Sequence, residues 1–391
     1  MFWFWFFVGP ALALAIFALR GERKRARWVA ERLSADPDDP TPPATVIVTL
    51  AGVALDGVAL DGPAVHLREN LAALASQDYP SYELLVIART ASDIPPHSLP
   101  PRVSVVLGGA RDEKTNARIQ NLLAGVRATR KRSEILAFAD AGGRVSRNWL
   151  RALVGPLTDP EVGASTGYRF YVPDPPDFWS LARSVWDALI AGLLGPGDNP
   201  FAWSGSVAIR KERFFELRVP DAWRASWSED GALTEAIHKA RCKIAFVPGA
   251  MLAYVGRAGA RHFFDQAQCQ MAMARAYFPR LWWSALVTHV FYCGGMAAAV
   301  TASVRGSRGA EWALVLQLGL GMLKGINRAT LAKAELPDYE AWFRRHAWVH
   351  SLWVPLGTWV WLCVLLSSAF TRTVERGARK QDVPRASQAH A

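Results

Sequence analysis

The stretch Glu134-Ile135-Leu136-Ala137-Phe138-Ala139-Asp140-Ala141-Gly142 decides the fold class of this chain. Its apolar run has the length of a strand and no polar alternation, which is typical of a parallel strand buried on both faces. Asp140 then lies at the carboxyl end of that strand, the edge of an open α/β sheet where ligands bind. The sequence therefore predicts a ligand site at Asp140.

Strand-like and helix-like runs alternate on the N-terminal side of this stretch. The predicted strands are residues 45–50, 83–87 and 103–107, and the predicted helices are residues 66–75 and 116–129. Such alternation predicts a parallel sheet covered by helices. A Pro-rich hinge at residues 39–43 precedes it, and the short tandem repeat at residues 53–62 is predicted to be a surface loop.

A second acidic segment, Ser228-Glu229-Asp230-Gly231, precedes a run with apolar residues at helical spacing. Glu229 and Asp230 therefore fall at or just before a helix start, where Ser and Asp are favoured as N-caps. Capping alone explains this segment, and so does acid–base chemistry. Both interpretations remain open from these residues.

Three apolar stretches are long enough to cross a bilayer. They are residues 2–19, 281–304 and 349–370, in a chain of 391 residues that is 51% hydrophobic and has 17 Trp. The first precedes a basic flank, which predicts an uncleaved anchor with that flank in the cytoplasm. Residues 310–323 are apolar over a shorter length and fit an interfacial, re-entrant or spanning helix, so the side of the C-terminus stays open.

The formal charge of +11 comes largely from basic residues beside apolar segments. No basic strip interleaved with aromatic residues is present, so anionic lipid headgroups are the predicted partner and nucleic acid is not. The four Cys residues lack paired spacing, which argues against a zinc site or a disulfide framework.

Several short motifs, in their order and spacing, give the chain a family resemblance. They are residues 67–71, Gln77-Asp78-Tyr79-Pro80, residues 116–122, residues 138–145, Thr166-Gly167-Tyr168, Trp203-Ser204-Gly205-Ser206, residues 228–233 and Arg275-Ala276-Tyr277-Phe278-Pro279. The chain resembles membrane-bound family 2 glycosyltransferases, most closely the ceramide glucosyltransferase-like branch, and also hopanoid-associated glycosyltransferases. The resemblance implies a GT-A type, Rossmann-like mixed sheet with flanking helices, plus N-terminal and C-terminal transmembrane helices.

The same resemblance implies a UDP-sugar donor, a divalent cation (Mg²⁺ or Mn²⁺) and inversion at the anomeric carbon. Asp140 matches the position that binds the metal and diphosphate, and Asp230 matches the general base, with Glu229 beside it. The implied nucleotide-sugar residues are Asp140, Arg144, Asp93, Asn116 and Arg118, and the implied acceptor residues are Trp203, Ser204, Gly205 and Gln266.

Three positions depart from the family pattern. No basic residue follows the first strand, and the acidic position that contacts uracil falls near residues 88–90, leaving Asp93 as a displaced candidate. The Gln-x-x-Arg-Trp motif corresponds to residues 266–270, which keep Gln266 but lose Arg and Trp. Arg275, or His262 with Arg261, is a candidate to replace the missing cation.

The resemblance implies transfer of glucose or N-acetylglucosamine to the hydroxyl of a membrane lipid. The expected location is a bacterial-type inner membrane, multi-pass, with the catalytic domain in the cytoplasm. The expected regions are an anchor (1–20), a basic linker (21–43), a GT-A domain (44–260), an amphipathic interfacial segment (261–280), a membrane region (281–370) and a basic tail (371–391). A processive polysaccharide synthase and a catalytically impaired lipid-binding or scaffold relative remain alternatives.

Overall fold

The computed structural model describes residues 2–34, 40–50, 66–101, 103–108, 116–376 and 379–382. The tandem repeat at residues 53–62 lies outside these residues. So do residues 35–39, which include the first residue of the hinge, and residues 383–391 of the basic tail. The described part contains a mixed sheet with covering helices and a group of long apolar helices.

A seven-stranded sheet forms the centre of the α/β region. Its strands are β1 (Ala44–Thr49), β2 (Tyr82–Ala88), β3 (Val103–Leu107), β4 (Ile135–Asp140), β5 (Val162–Thr166), β7 (Ser206–Arg210) and β8 (Lys243–Phe246). Their order in the sheet is β3-β2-β1-β4-β7-β5-β8. The first four are parallel, and β7 runs antiparallel to both of its neighbours. The register pairs Thr49 with Asp140 at the carboxyl edge.

Alternation along the strands sends apolar side chains into two cores, one on each face of the sheet. Val46 and Val48 belong to one core, whereas Ile47 between them belongs to the other. Burial on both faces explains why these strands read as unbroken apolar runs. The predicted strands and the predicted mixed α/β class are confirmed.

In the part of the chain that the structure describes, seven α-helices accompany the sheet. They are α2 (Leu67–Ala75), α3 (Ala117–Ala128), α4 (Trp149–Val154), α5 (Phe178–Ala191), α6 (Lys211–Glu216), α7 (Val219–Ala225) and α8 (Glu229–Lys239). The starts of α3 and α8 are fixed by Asn116, which accepts from the Arg118 amide, and by Ser228, which accepts from the Gly231 amide. A small parallel ribbon of β6 (Arg169–Tyr171) and β9 (Leu252–Tyr254) lies beside the main sheet.

Among the described residues, three helices are long and apolar enough to span a membrane, as predicted. They lie within α1 (Phe2–Ser34), α10 (Pro279–Val304) and α13 (Trp348–Phe370). The basic segment after the anchor, through Ser34, is a continuation of α1. A short antiparallel ribbon, β10 (Thr373–Arg376) with β11 (Arg379–Asp382), follows α13.

Residues 310–323, which were predicted to be an interfacial, re-entrant or spanning helix, belong to a single long helix, α11 (Arg308–Glu335). This helix packs against α1, α10 and α13. A Cβ at Gly325 would lie 2.1 Å from the His350 carbonyl oxygen, so α11 and α13 approach closely there. The short α12 (Glu340–His346) joins these two helices. Within the described residues, α11 is not among the helices apolar enough to be a candidate span.

The predicted amphipathic segment is α9 (Ala260–Tyr277). It packs against α5, α10 and α13, and buries Phe263 while leaving Phe264 exposed. The helix therefore joins α5 to the apolar helices through its buried face.

Candidate active site

Asp140 ends β4 and begins a tight turn at the carboxyl edge of the sheet. Its Oδ1 accepts a hydrogen bond from the Gly142 amide at 3.3 Å, and its backbone amide donates to the Gly205 carbonyl at 2.9 Å. From α2, the Asn70 side chain donates to the Ala141 carbonyl at 3.0 Å. The turn is therefore held from two sides, and the Asp140 side chain stays partly accessible, at 24% exposure.

Arg118, in the first turn of α3, connects the two acidic segments. Its Nε lies 2.8 Å from Oε1 of Glu229, and its Nη1 lies 3.9 Å from Oδ2 of Asp140. Burial disfavours the guanidinium, but the charges of Asp140 and Glu229 outweigh it and raise the pKa of Arg118. Burial likewise opposes ionisation of Asp140, but Arg118, together with Tyr254, keeps the pKa of Asp140 below its usual value.

Asp230 lies in the first turn of α8, where its carboxylate is hydrogen-bonded to a fixed backbone donor. The Ser204 amide donates to its Oδ1 at 2.6 Å. Burial and the neighbouring charge of Glu229 raise the pKa of Asp230 to about 6, although the bonds from Ser204 oppose this shift. Ser228 caps α8, as one interpretation of this segment expected, and this cap leaves the Asp230 carboxylate available for acid–base chemistry.

The loop Trp203-Ser204-Gly205 lies between the two acidic segments. The Trp203 amide donates to Thr166 Oγ1 at 3.0 Å, and the Ser204 hydroxyl donates to Glu229 at 3.4 Å. A Cβ at Gly205 would lie 2.2 Å from the Trp203 ring, so the indole packs directly on the backbone of its own loop. This loop therefore contacts Asp140 through Gly205 and Asp230 through Ser204.

A cationic cluster that sequence analysis missed lies against the ring of Trp203. Arg169 in β6 and Arg183 in α5 both donate through Nε to Oδ2 of Asp187, each at 3.2 Å. The Arg169 guanidinium carbon lies 5.6 Å from the ring centroids of both Trp203 and Tyr254. Burial opposes its charge, but Asp187 outweighs burial and raises the pKa of Arg169.

One signal of this cluster was present in the sequence. Arg169 directly follows the motif Thr166-Gly167-Tyr168. Its carboxylate partner Asp187 is 18 residues further along the chain on a different element, so the pairing required the tertiary structure. Tyr254, on β9, lies in no motif identified above.

The remaining expected residues lie around this centre rather than in it. Asn116 caps α3 and donates to the Trp227 carbonyl at 3.3 Å, which ties α3 to the segment before Asp230. Asp93 accepts from Thr90 at 2.9 Å in the turn after β2. Arg144 forms an ion pair with Glu69.

Two residues of the membrane-entry segment also lie apart from the acidic centre. Gln266 is exposed on α9. Arg275, a candidate replacement for the missing cation, instead donates to the backbone carbonyls of Ala369 and Thr371. Its guanidinium therefore caps the end of α13.

A divalent cation at this site would need oxygen ligands from the substrate phosphates and from water in addition to those of the protein. No group of three or more His, Cys, Asp and Glu side chains able to hold a metal occurs within the described residues. Mg²⁺ in phosphate-handling sites uses one or two carboxylates, together with substrate phosphates and water. The partly accessible Asp140 carboxylate meets that requirement as a single protein ligand.

Comparisons with known proteins place the chain in a family. No curated protein matches it. A solved structure of GalNAc-T7 with UDP, GalNAc and Mn²⁺ is 15% identical at a TM-score of 0.40, covering 64% of this chain and 52% of that one. This chain therefore spans about half of that structure's length.

A 4-diphosphocytidyl-2C-methyl-D-erythritol synthase from Anaerococcus prevotii is 12% identical at a TM-score of 0.38, covering 59% of this chain and 96% of that one. The family profile described as Glycosyl transferase family 21 matches residues 6–378, nearly the whole chain. The expected glycosyltransferase character is thus confirmed. The chain belongs to glycosyl transferase family 21.

Proposed function

We propose that this glycosyltransferase transfers a hexose, glucose or N-acetylglucosamine, from its UDP donor to the hydroxyl of a membrane lipid with inversion. In this reaction the acceptor oxygen attacks the anomeric carbon while the bond from that carbon to the diphosphate oxygen breaks. The hydroxyl proton passes to the base, and UDP leaves. The reaction requires a base for the hydroxyl and charge stabilisation for the leaving diphosphate.

The observation that carries the proposal is the environment of Asp230. A pKa of about 6 leaves its carboxylate ionised at neutral pH yet more basic than an ordinary aspartate. The Ser204 amide holds Oδ1, so the carboxylate has a fixed orientation in which Oδ2 can accept a proton. We assign Asp230 as the base.

Glu229 and Arg118 adjust this base. The negative charge of Glu229 adds to burial in raising the pKa of Asp230. The Nε of Arg118 lies 2.8 Å from Oε1 of Glu229, and this ion pair disfavours proton transfer to Glu229. We infer that Glu229 raises the basicity of Asp230. The positive charge of Arg118 reduces the repulsion between Glu229 and Asp140.

Asp140 is the group that would hold a divalent cation, Mg²⁺ or Mn²⁺, with the donor diphosphate. When bound, such a cation offsets the negative charge that develops on the leaving diphosphate. The chain's own contribution is to keep Asp140 ionised, through Arg118 and Tyr254, and to fix its turn through Asn70.

The connection to the apolar helices supports a lipid acceptor. The Tyr277 hydroxyl lies 3.0 Å from Ser226 Oγ and accepts from the Trp227 amide at 3.3 Å, just before Glu229 and Asp230. Helix α10, which contains a candidate span, begins at Pro279, two residues later. A hydroxyl at the membrane surface would therefore lie near the base.

The basic half of α1 supports a cytoplasmic catalytic domain. Arg25 is buried, donates to the Leu194 carbonyl and stacks over the Phe246 ring at 5.2 Å. The basic flank of the anchor therefore packs on the catalytic domain. Basic flanks of membrane helices favour the cytoplasmic side.

The test is sugar transfer by the full chain in detergent or vesicles. UDP-glucose and UDP-N-acetylglucosamine, each radiolabelled, are offered with a mixed lipid extract and Mg²⁺ or Mn²⁺. Labelled lipid is expected from wild type and from Asp221→Asn, because Asp221 is an exposed partner of Arg218 and Arg224. Asp230→Asn should give none, while failure of folded wild type with both donors would favour a non-catalytic lipid-binding role.

A further inference from the structure

The Gln-x-x-Arg-Trp segment of this chain lacks its arginine, and the Arg275 side chain is bound to backbone carbonyls. We infer that Arg169 supplies the missing cation and binds the diphosphate of the nucleotide-sugar donor. This inference rests on the proposed function and adds a donor-binding residue to it.

Arg169 is fixed in place before any ligand binds. Its Nε donates to Asp187 at 3.2 Å, and three rings surround its guanidinium, those of Tyr168 at 6.0 Å and of Trp203 and Tyr254 at 5.6 Å. A second cation, Arg183, shares the same carboxylate oxygen. An anion would therefore meet a preorganised guanidinium that loses little side-chain freedom on binding.

The terminal nitrogens of Arg169 remain available. Among the described residues, its only hydrogen-bond acceptor is Asp187, and that bond uses Nε. The side chain is 14% exposed, so the guanidinium is mostly enclosed without being sealed. Two parallel donors of this kind match a phosphate in a bidentate arrangement.

Surplus positive charge accompanies this opening. Arg169 and Arg183 share the single carboxylate of Asp187, and Arg183 and Asp187 are fully enclosed. Within the described residues, Nη1 of Arg183 and Oδ1 of Asp187 are buried without hydrogen-bond partners. A buried group of two cations and one anion gains from a nearby anionic ligand.

Tyr254 joins this cationic cluster to the acidic centre. Its ring lies against Arg169, and its hydroxyl helps to keep the pKa of the Asp140 carboxyl low. Trp203, whose ring also faces Arg169, begins the loop that contacts Asp140 and Asp230. A diphosphate beside Asp140 would thus meet Arg169 across Tyr254, whereas Arg118 is engaged with Glu229.

The experiment compares binding of UDP and of uridine to the detergent-solubilised full chain, by calorimetry, with Mg²⁺ present. The variants are Arg169→Gln, Arg169→Lys and Arg257→Gln. Arg257 is the matched control, because it also pairs with an aspartate, Asp177, but is exposed. The ratio of the two affinities isolates the diphosphate contribution from any general damage to the site.

Wild type should prefer UDP, and Arg169→Gln should lower that preference by about 10- to 100-fold, as expected for a lost hydrogen bond to a charged group. Arg169→Lys, which keeps the charge but loses the fork, should lower it by a smaller factor, and Arg257→Gln should leave it unchanged. Circular dichroism and melting confirm folding, and Arg169→Lys carries the test if the Gln variant does not fold.

An unchanged preference in folded Arg169→Gln or Arg169→Lys would overturn this inference while leaving the proposed donor intact. A variant that alters only the KM for the lipid acceptor would also overturn it. Failure of wild type to bind either compound would remove the uridine donor of the proposed function, and this inference with it.

Discussion

The guanidinium of Arg118 lies 2.8 Å from the carboxylate of Glu229, whose side chain is almost fully buried, while that of Arg118 is mostly buried. The same guanidinium faces Asp140 at 3.9 Å. A single cation on α3 therefore balances carboxylates from the end of β4 and the start of α8. Because these carboxylates come from separate elements, Arg118 both neutralises their charge and connects β4 to α8.

Replacing Arg118 with Met should destabilise the protein and abolish sugar transfer. The change leaves Glu229 buried without its cation and removes the charge that keeps Asp140 ionised. Breaking a buried pair typically costs about 3–5 kcal/mol. The measurement is the melting temperature in detergent, with transfer activity on the folded fraction.

Arg118→Met combined with Glu229→Gln provides the control for that variant. Since the double variant removes both partners, its melting temperature should lie above that of Arg118→Met alone. Activity should remain low, because Asp140 has still lost its cation. Equal melting temperatures of wild type and Arg118→Met would contradict the role assigned to this residue.

The rate of sugar transfer should depend on the ionisation of Asp230. With its pKa raised to about 6, kcat/KM should fall as pH drops below that value and level off above it. Glu229→Gln removes the like charge that raises this pKa, so the acidic limb should move to lower pH. A limb that stays in place, or moves upward, in that variant would rule out the proposed coupling.

Asp230→Asn should be inactive and yet more stable than wild type at pH 8. A raised carboxylate pKa in the folded state means that the folded protein binds more protons than the unfolded chain between the two pKa values. Stability is therefore lost as pH rises through that range. Removing the charge should recover on the order of 3 kcal/mol at pH 8, since the pKa of Asp230 is raised from 3.8 to about 6 and each pKa unit corresponds to about 1.4 kcal/mol.

The Ser204 amide can still donate to the Asn oxygen in Asp230→Asn, so the bond seen in the structure is compatible with the substitution. Melting in detergent at pH 8 and at pH 4 provides the check. The gain should shrink at pH 4, where Asp230 is protonated in the folded wild type. A variant less stable than wild type at pH 8 would show that the Asp230 carboxylate stabilises the fold instead.

Much of the fold could be predicted because its signals are local. The unbroken apolar run ending in Asp140 predicted a buried strand, and Asn116 and Ser228 mark helix starts that the structure confirms. The three candidate spans were visible for the same reason, since length and hydropathy suffice. The long α11 was harder, because its polar end packs through buried ion pairs as well as through apolar contacts.

The site was only partly predictable. Asp140, Glu229 and Asp230 stand in short motifs, whereas the partners of Arg169 and Arg144 depend on distant elements. Charge alone could not show that Arg144 pairs with Glu69 or that Arg275 caps α13. The sequence thus indicated which groups carry charge, but the pairing came from tertiary contacts.

Gly231→Ala should slow sugar transfer by displacing the start of α8. A Cβ at Gly231 would lie 2.5 Å from the Tyr277 ring, so the ring or the helix must shift. A displacement of about 1 Å near reacting groups can cost roughly 100-fold in rate. The matched control is Gly259→Ala, whose Cβ would meet no atom within 4 Å.

Tyr277→Phe separates packing from hydrogen bonding at the same contact. It keeps the ring but loses the hydroxyl contacts with Ser226 and the Trp227 amide. Its effect on stability should be about 1 kcal/mol, typical of a net hydrogen bond, with a smaller loss of rate than in Gly231→Ala. If Gly231→Ala and Gly259→Ala show the same kcat/KM, close packing of Tyr277 on α8 does not position the base.

Arg25→Met should loosen the attachment of the anchor helix to the rest of the protein. Arg25 in α1 donates to Glu335 in α11 at 2.9 Å, and both residues are buried. Loss of the cation leaves Glu335 as an uncompensated buried charge, at a cost of about 3–5 kcal/mol. Arg25→Met with Glu335→Leu should recover most of the melting temperature in detergent, because neither charge then remains buried. A double variant as unstable as Arg25→Met would instead assign the loss to the Arg25 contacts with Leu194 and Phe246, and so to docking of α1 on the catalytic domain.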